Sequence, residues 1–234
     1  MRTLLFALAL LVPAAAVAAP PPKPFSAEYE VYQNDKKLGT GTITLRALGA
    51  GRYELATTSQ ATEGLFAAAG VRREERSVID WNGAKPETVE YRMHQKAAWN
   101  ERTQVLQVAA GARTARSTYK DETTDLPYSP GLLDKHALTA VMMSEHAAGT
   151  RGDMSWGVAE RRAVEPQTYR TAKNVILRTA LGRERAVRVE RVRADDSGRV
   201  TKIWFARERG WLPLRIMQYE SDGETLDLRI VKIH

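Results

Sequence analysis

Apolar and polar residues alternate with a period of two along most of this chain, and turn-forming residues break the alternation at short intervals. Over residues 25–32, Phe25, Ala27, Tyr29 and Val31 fall on one side and Ser26, Glu28 and Glu30 on the other. Successive side chains of a strand point to opposite faces, so this is the pattern of a strand with one wet face. Asn34-Asp35-Lys36-Lys37 turns the chain into a partner strand carrying Ile43, Leu45 and Ala47, and Gly49-Ala50-Gly51 turns it again into 53–58. Such an arrangement is an antiparallel meander. Alternation resumes over 73–81, turns at Asn82-Gly83 and returns through Val89, Tyr91 and Met93, with a further strand expected over 99–108. The last third repeats the theme over 154–158, 163–170, 175–179, 185–192, 200–207, 212–219 and 225–233. Its turns are Asp195-Asp196-Ser197-Gly198, Glu208-Arg209-Gly210 and Ser221-Asp222-Gly223. Pro213, which has no N–H to give to a ladder, marks an edge or a bulge.

One stretch follows helical spacing instead. Asp134 stands near its start, Leu133, Ala137, Ala140, Val141 and Ser144 share a side, and Gly149 lies just past its end, where a left-handed residue closes a helix cheaply. Residues 64–70 form a short apolar segment between two glycines, either a buried helical turn or a lip over a cavity. The fold expected is mainly β: one large curved antiparallel sheet or open β-barrel, with one main helix and a short helical lid segment. Residues 25–234 read as a single β-rich domain, because no linker or shift in composition divides them.

The N-terminus carries different information. Arg2, the apolar run Leu4–Val12 and the small-residue series Ala16-Val17-Ala18 have the order of an export signal, with cleavage expected after Ala18. The apolar run is about half the roughly 20 residues that span a bilayer, so it reads as a cleaved signal and not an anchor. Residues 19–24, rich in proline, form an extended leader. The mature chain is therefore expected in the periplasm, not spanning the membrane. It has no cysteine, which excludes disulfides, thiolate metal sites, a cysteine nucleophile and a lipid-modified cysteine. The full chain's formal net charge of +7, which cleavage would reduce only by Arg2, favours anionic partners by long-range attraction. In that compartment these are a lipid, a lipoprotein or an anionic envelope polymer, and not nucleic acid.

Catalytic chemistry finds little support. Ser129, His136 and Asp134 supply the residue types of a serine hydrolase but lack a Gly-x-Ser-x-Gly elbow. No two of His94, His136, His146 and His234 have the spacing that puts two imidazoles on one metal. Glu74 and Glu75 are consecutive strand residues and so face opposite ways, while Asp195-Asp196 and Arg151-Gly152-Asp153 have ready roles in turns. No catalytic residue, metal or cofactor is expected. The aromatic residues of the strands either fill a core under the helix or line a concave ligand site. In the second case Tyr29, Tyr91, Trp204 and Leu214 are the expected pocket residues, with Arg215 as a headgroup contact.

The closing segment has a distinctive cadence: Thr201-Lys202-Ile203-Trp204-Phe205, then Gly210-Trp211-Leu212-Pro213-Leu214-Arg215, then Asp222-Gly223. With residues 29–41, Gly64-Leu65-Phe66 and residues 125–138, it resembles the domain-of-unknown-function 3108 family of exported proteobacterial proteins across essentially the whole mature chain. That family has no established activity, so the resemblance implies a compartment and a β-rich fold. More distantly, the same ending is similar to that of periplasmic lipoprotein carriers and envelope sensors, which implies a half-closed β-barrel with a helical lid over an apolar cavity. This chain has fewer helices than such a carrier, and residues 72–76 are charged on both faces. The function expected is a non-enzymatic periplasmic protein that binds a lipid, an acyl chain or another envelope component. The alternative is a structural or interaction protein of the envelope, docking on a protein or on cell wall.

Overall fold

A computed structural model describes residues 19–98, 100–193 and 197–234. The expected signal segment, Trp99 and the Asp195-Asp196 turn lie outside the described residues. The first half is a run of hairpins: β1 (Phe25–Gln33), β2 (Lys36–Gly49), β3 (Arg52–Ala61), β4 (Arg72–Asp80), β5 (Glu87–Ala97), β6 (Asn100–Ala109), β7 (Thr114–Tyr119) and β8 (Glu122–Leu126). The short helix α1 (Gly64–Ala68) sits in the β3–β4 connection. After β9 (Leu133–Asp134) and the helix α2 (Leu138–Ala147) come β10 (Asp153–Ala159), β11 (Val164–Thr179), β12 (Gly182–Val192), β13 (Val200–Ala206), β14 (Leu212–Tyr219) and β15 (Thr225–Ile233).

All fifteen strands belong to one sheet, in the order β8-β7-β6-β5-β4-β3-β2-β1-β15-β14-β13-β12-β11-β10-β9. Each strand pairs with its neighbours in sequence except at β8–β9, and the first and last strands meet in the middle, Tyr29 opposite Ile230 and Val31 opposite Leu228. Local turn chemistry sets the register. Asn34 and Asp35 both take positive φ, 49° and 60°, the conformation a tight hairpin needs to match the twist of its strands. At Gly39, beside a register shift in β2, a Cβ would stand 1.9 Å from the Gln60 carbonyl oxygen. Only glycine lets the two strands approach so closely.

The edges β8 and β9 do not pair with each other, so the barrel stays open. The connection between them spans the opening. Thr88 N–H donates to the Leu132 carbonyl (2.9 Å), and Gly131 N–H donates to Glu87 (2.8 Å). Across the same opening the Arg161 guanidinium lies 3.9 Å from the Tyr119 ring centre, and Arg162 pairs with Glu122.

The helix begins later than its spacing predicts, at Leu138, and ends before Gly149, whose φ is +90°. It is not amphipathic. Leu138, Ala140, Val141, Met142, Met143, Ser144 and His146 are all buried, and a helix buried all round belongs inside a core. Its apolar residues share one cluster with Tyr29, Leu45, Ile79, Ile203, Phe205 and Ile230 of the sheet. Residues 163–179, expected as two strands, form the single long β11, with a register shift between Thr171 and Lys173. The strands β7 and β8 were not expected from the pattern. Their inward positions alternate Ala115, Ser117 and Tyr119, too polar to read as a buried face.

Candidate functional site

The five residues expected to bind a ligand do not converge on one pocket. Tyr29 is buried in the core that α2 fills, and its hydroxyl donates to the Pro213 carbonyl (2.6 Å). Tyr91 belongs to a smaller cluster with Met93, Leu106 and Leu132, and its hydroxyl donates to Glu75 (2.6 Å). Trp204 and Leu214 belong to the same core cluster as Tyr29, and Arg215 packs on the Trp204 ring where that cluster borders a surface cleft.

There the register aligns Trp204, Arg215, Arg229 and Glu30 in one row across four strands, so their side chains share a face. The Arg215 guanidinium lies 4.9 Å from the Trp204 ring centre, and Arg229 lies 4.1 Å from that of Tyr32. Asp227, buried between the two arginines, accepts from Arg215 Nε (2.9 Å) and Nη2 (2.6 Å) and from Arg229 Nε (2.8 Å). Cation–π stacking with two-point pairing to Asp227 fixes the Arg215 plane, and stacking with separate contacts to Asp227 and Asp35 fixes that of Arg229.

Beside this row stands an arm. The last β12–β13 pair is Ala186 opposite Ala206. From Ile176–Arg185 to Thr179–Gly182, β11 and β12 pair only with each other. Glu184, nearly buried, ties the arm to the turn before β14 through Arg209 (2.6 Å). A cleft lies on each side of the arm. One, of about 450 Å³, is lined by Leu177 and Arg178 of the arm and by Leu214, Arg215, Arg229 and Glu30. The other, of about 680 Å³, is lined by Val175, Ile176, Ala186 and Val187 together with Arg185, Arg207 and Glu208. Ile176 is 54% exposed there. Leu214 and Arg215 thus line a cleft, Trp204 supports it from beneath Arg215, and Tyr29 and Tyr91 lie elsewhere.

A second polar constellation contains Asp134 and His136, which the sequence had set beside Ser129, and joins them instead to Ser77, Thr88 and Thr57. Asp134, fully buried, accepts four hydrogen bonds: Ser77 Oγ (2.8 Å), His136 N (2.8 Å) and Ala137 N (2.9 Å) on Oδ1, and Thr88 Oγ1 (2.8 Å) on Oδ2. The Ser77 hydroxyl proton is committed to Asp134, so Ser77 Oγ accepts from His136 Nδ1–H (2.9 Å). His136 Nε2 then accepts from the Thr57 hydroxyl (2.8 Å). Beside them Glu75 accepts from Arg73 Nε (2.8 Å) and Nη2 (2.9 Å). Burial pushes the Glu75 carboxyl up, but Arg73 and the neighbouring donors outweigh it and hold the group well below the usual range. Glu74 faces away from Glu75 and is exposed, as strand geometry requires.

His136 meets Asp134 through Ser77, and not through Ser129. The serine stands between imidazole and carboxylate, the reverse of a hydrolase relay, in which the imidazole stands in the middle. Thr57, the hydroxyl on the far nitrogen, sits mid-strand between β2 and β4. Its neighbours' N–H groups belong to those ladders, which leaves none to stabilise an oxyanion. The network instead fastens the β9–α2 connection to β3, β4 and β5. A pattern search could not find it, since Thr57, Ser77 and Thr88 each come from a different strand, and Thr57 stands in a run with Thr58 and Ser59 that does not single it out.

The network predicts a pH dependence. Burial pushes His136 below its ordinary value, against the opposing pull of Glu75 and Asp134. Burial does the same to His146, whose ring stacks 5.0 Å from that of Trp211. Both imidazoles are thus harder to protonate in the folded protein than in the unfolded chain, so unfolding takes up protons below about pH 6.5. Stability should therefore fall as pH drops through 6.5, with a slope approaching about 1.4 kcal/mol per pH unit for each group. Urea denaturation between pH 7.5 and 5.5 measures this, and a flat profile would show that the rings are protonated in the folded state.

The family model described as "Protein of unknown function (DUF3108)" matches residues 28–229. No curated protein matches the chain in sequence. Among solved structures, the chain is similar to a crystal structure of a β-barrel-like protein of domain of unknown function DUF1849 from Brucella abortus. The two share 11% identity at a TM-score of 0.57, over 90% of this chain and 96% of that one. At that identity the likeness is one of fold.

Proposed function

We propose that this chain, which belongs to the DUF3108 family of proteins of unknown function, is a non-enzymatic protein of the periplasm that binds an amphiphilic envelope component. The ligand would rest against the β11–β12 arm. The observation that carries this reading is the pair of clefts flanking the arm, one with apolar walls at Val175, Ile176 and Val187, the other lined by Arg178, Arg215 and Arg229. Apolar and cationic surfaces side by side suit a molecule with an acyl chain and a charged head. Covering an exposed isoleucine contributes up to about 1.5–3 kcal/mol, so a short chain on Ile176 is enough for weak binding. The compartment follows from the signal-like order of residues 2–18.

Two measurements test the proposal. Periplasmic extraction of cells expressing the whole chain should release a protein whose mass lacks residues 1–18; an uncut chain in the cytoplasm would refute the location. Native mass spectrometry with dihexanoyl-phosphatidylglycerol should show one lipid per chain. Ile176→Asp should lower its occupancy about tenfold, and a clean apo mass at millimolar lipid would overturn binding. One observation favours the alternative, an interaction protein of the envelope. In α1, Leu65 is 87% and Phe66 46% exposed at a connection between strands. If the Leu65→Ser variant lost a partner that crosslinks to the wild type while keeping lipid occupancy, docking and not lipid binding would be the function of this end.

A further inference from the structure

We propose that the cleft between the arm and the β1, β14 and β15 strands is an oxyanion site, closed by Arg178, that takes the phosphate-type headgroup of the ligand. The inference rests on the amphiphile-binding reading and names the chemistry of its polar end. Its basis is which charges around the cleft are already matched. Arg215 and Arg229 share Asp227. Asp35 takes a further contact from Arg229, and Glu30 is held by Lys37 (2.8 Å) and the Tyr32 hydroxyl (2.7 Å). The carboxylates at this cleft are thus all engaged by cations.

Arg178 lines the same cleft and pairs with no carboxylate among the described residues. Its register partner across the arm is Arg183, which likewise has no carboxylate partner among them. Like charges directly opposite each other on two strands destabilise the pairing, and the arm has no third strand here to offset the cost. An anion between Arg178 and the fixed guanidinium of Arg215 relieves that repulsion. It would also give the Arg178 fork, which no carboxylate of the described residues occupies, the geometry it matches best, that of a phosphate or carboxylate. Arg215 is already oriented by Trp204 and Asp227, so only Arg178 has to order on binding.

The test uses the whole mature protein and three probes: inorganic phosphate, dihexanoyl-phosphatidylglycerol, and dihexanoyl-phosphatidylcholine with the same chains but no net charge. Binding is read by native mass spectrometry and by tryptophan fluorescence, since Trp204 lies under Arg215. The anionic lipid should bind about tenfold tighter than the zwitterionic one, with a preference that shrinks as salt is raised. Arg178→Gln should abolish the preference and Arg178→Lys keep part of it. The side chain is exposed, so Arg178→Lys should keep the wild-type urea midpoint, and Arg178→Gln should keep it or raise it slightly by removing the repulsion with Arg183. Equal affinity for the two lipids, unchanged by Arg178→Gln, would overturn the oxyanion site and leave amphiphile binding standing. Arg178-dependent binding of inorganic phosphate with no uptake of either lipid would do the reverse. Absence of binding by all three probes would overturn both.

Discussion

Replacing Asp134 by alanine is expected to cost about 3–5 kcal/mol of folding stability, among the largest losses any single polar side chain of this protein should show. The carboxylate serves four donors: two hydroxyls from neighbouring strands and two backbone N–H groups of the segment that leads into α2. Burial pushes its own pKa up, and the His136 ring and these hydrogen bonds pull the other way. Without the side chain, the Ser77 and Thr88 hydroxyls and the N–H groups of His136 and Ala137 lose their acceptor in a site that water does not reach. An unsatisfied buried polar group costs about 1–3 kcal/mol, and the hydroxyls can recover part of this by reorienting, which keeps the total below a simple sum.

The comparison with Ser77→Ala sharpens the expectation. That change removes one donor to Asp134 and the acceptor of His136 Nδ1–H, so it should cost about 1–3 kcal/mol. Measured together in urea, the double variant should lose less than the two separate losses added, because the residues act in one network. An Asp134→Ala loss below about 1 kcal/mol would mean that the β9–α2 connection is held by apolar packing alone.

The strands with one dry face were legible because burial imposes a period of two on them, as Tyr29 and Val31 or Ile43 and Leu45 illustrate. The turns were legible where a positive φ demands particular residues, as at Asn34-Asp35 and Gly49-Ala50-Gly51. The strand β7 was not, because its inward positions include Ser117, which burial at the opening of the sheet allows but hydropathy cannot signal. The site divides in the same way. Arg215 stood out by its place after Leu-Pro-Leu, and it does line a cleft. Arg178 and Ile176 did not, since a protruding two-stranded arm has the same alternation as any hairpin. Only the point where β12 leaves β13 reveals that its flanks are open.

The helix shows most clearly where spacing misleads. Leu133, Ala137, Ala140, Val141 and Ser144 suggest a stripe facing one way, as on a lid, yet Met142 and Met143 on the other sides are as deeply buried. Two expectations separate a plug from a lid. Met142→Ala should cost about 2–5 kcal/mol, the range for a long side chain removed from a closed core. Val141→Asp should leave no folded protein, because an unpaired buried carboxylate costs several kcal/mol and domains are stable by only about 5–15 kcal/mol. A lid over an open cavity would behave otherwise: Met142→Ala would shift the urea midpoint little and would change ligand uptake instead. Since α2 shares its cluster with Tyr29 and Ile230 at the seam of the first and last strands, its loss should unfold both halves of the sheet in a single transition. Two separated transitions in Met142→Ala would show that each half holds together without the helix.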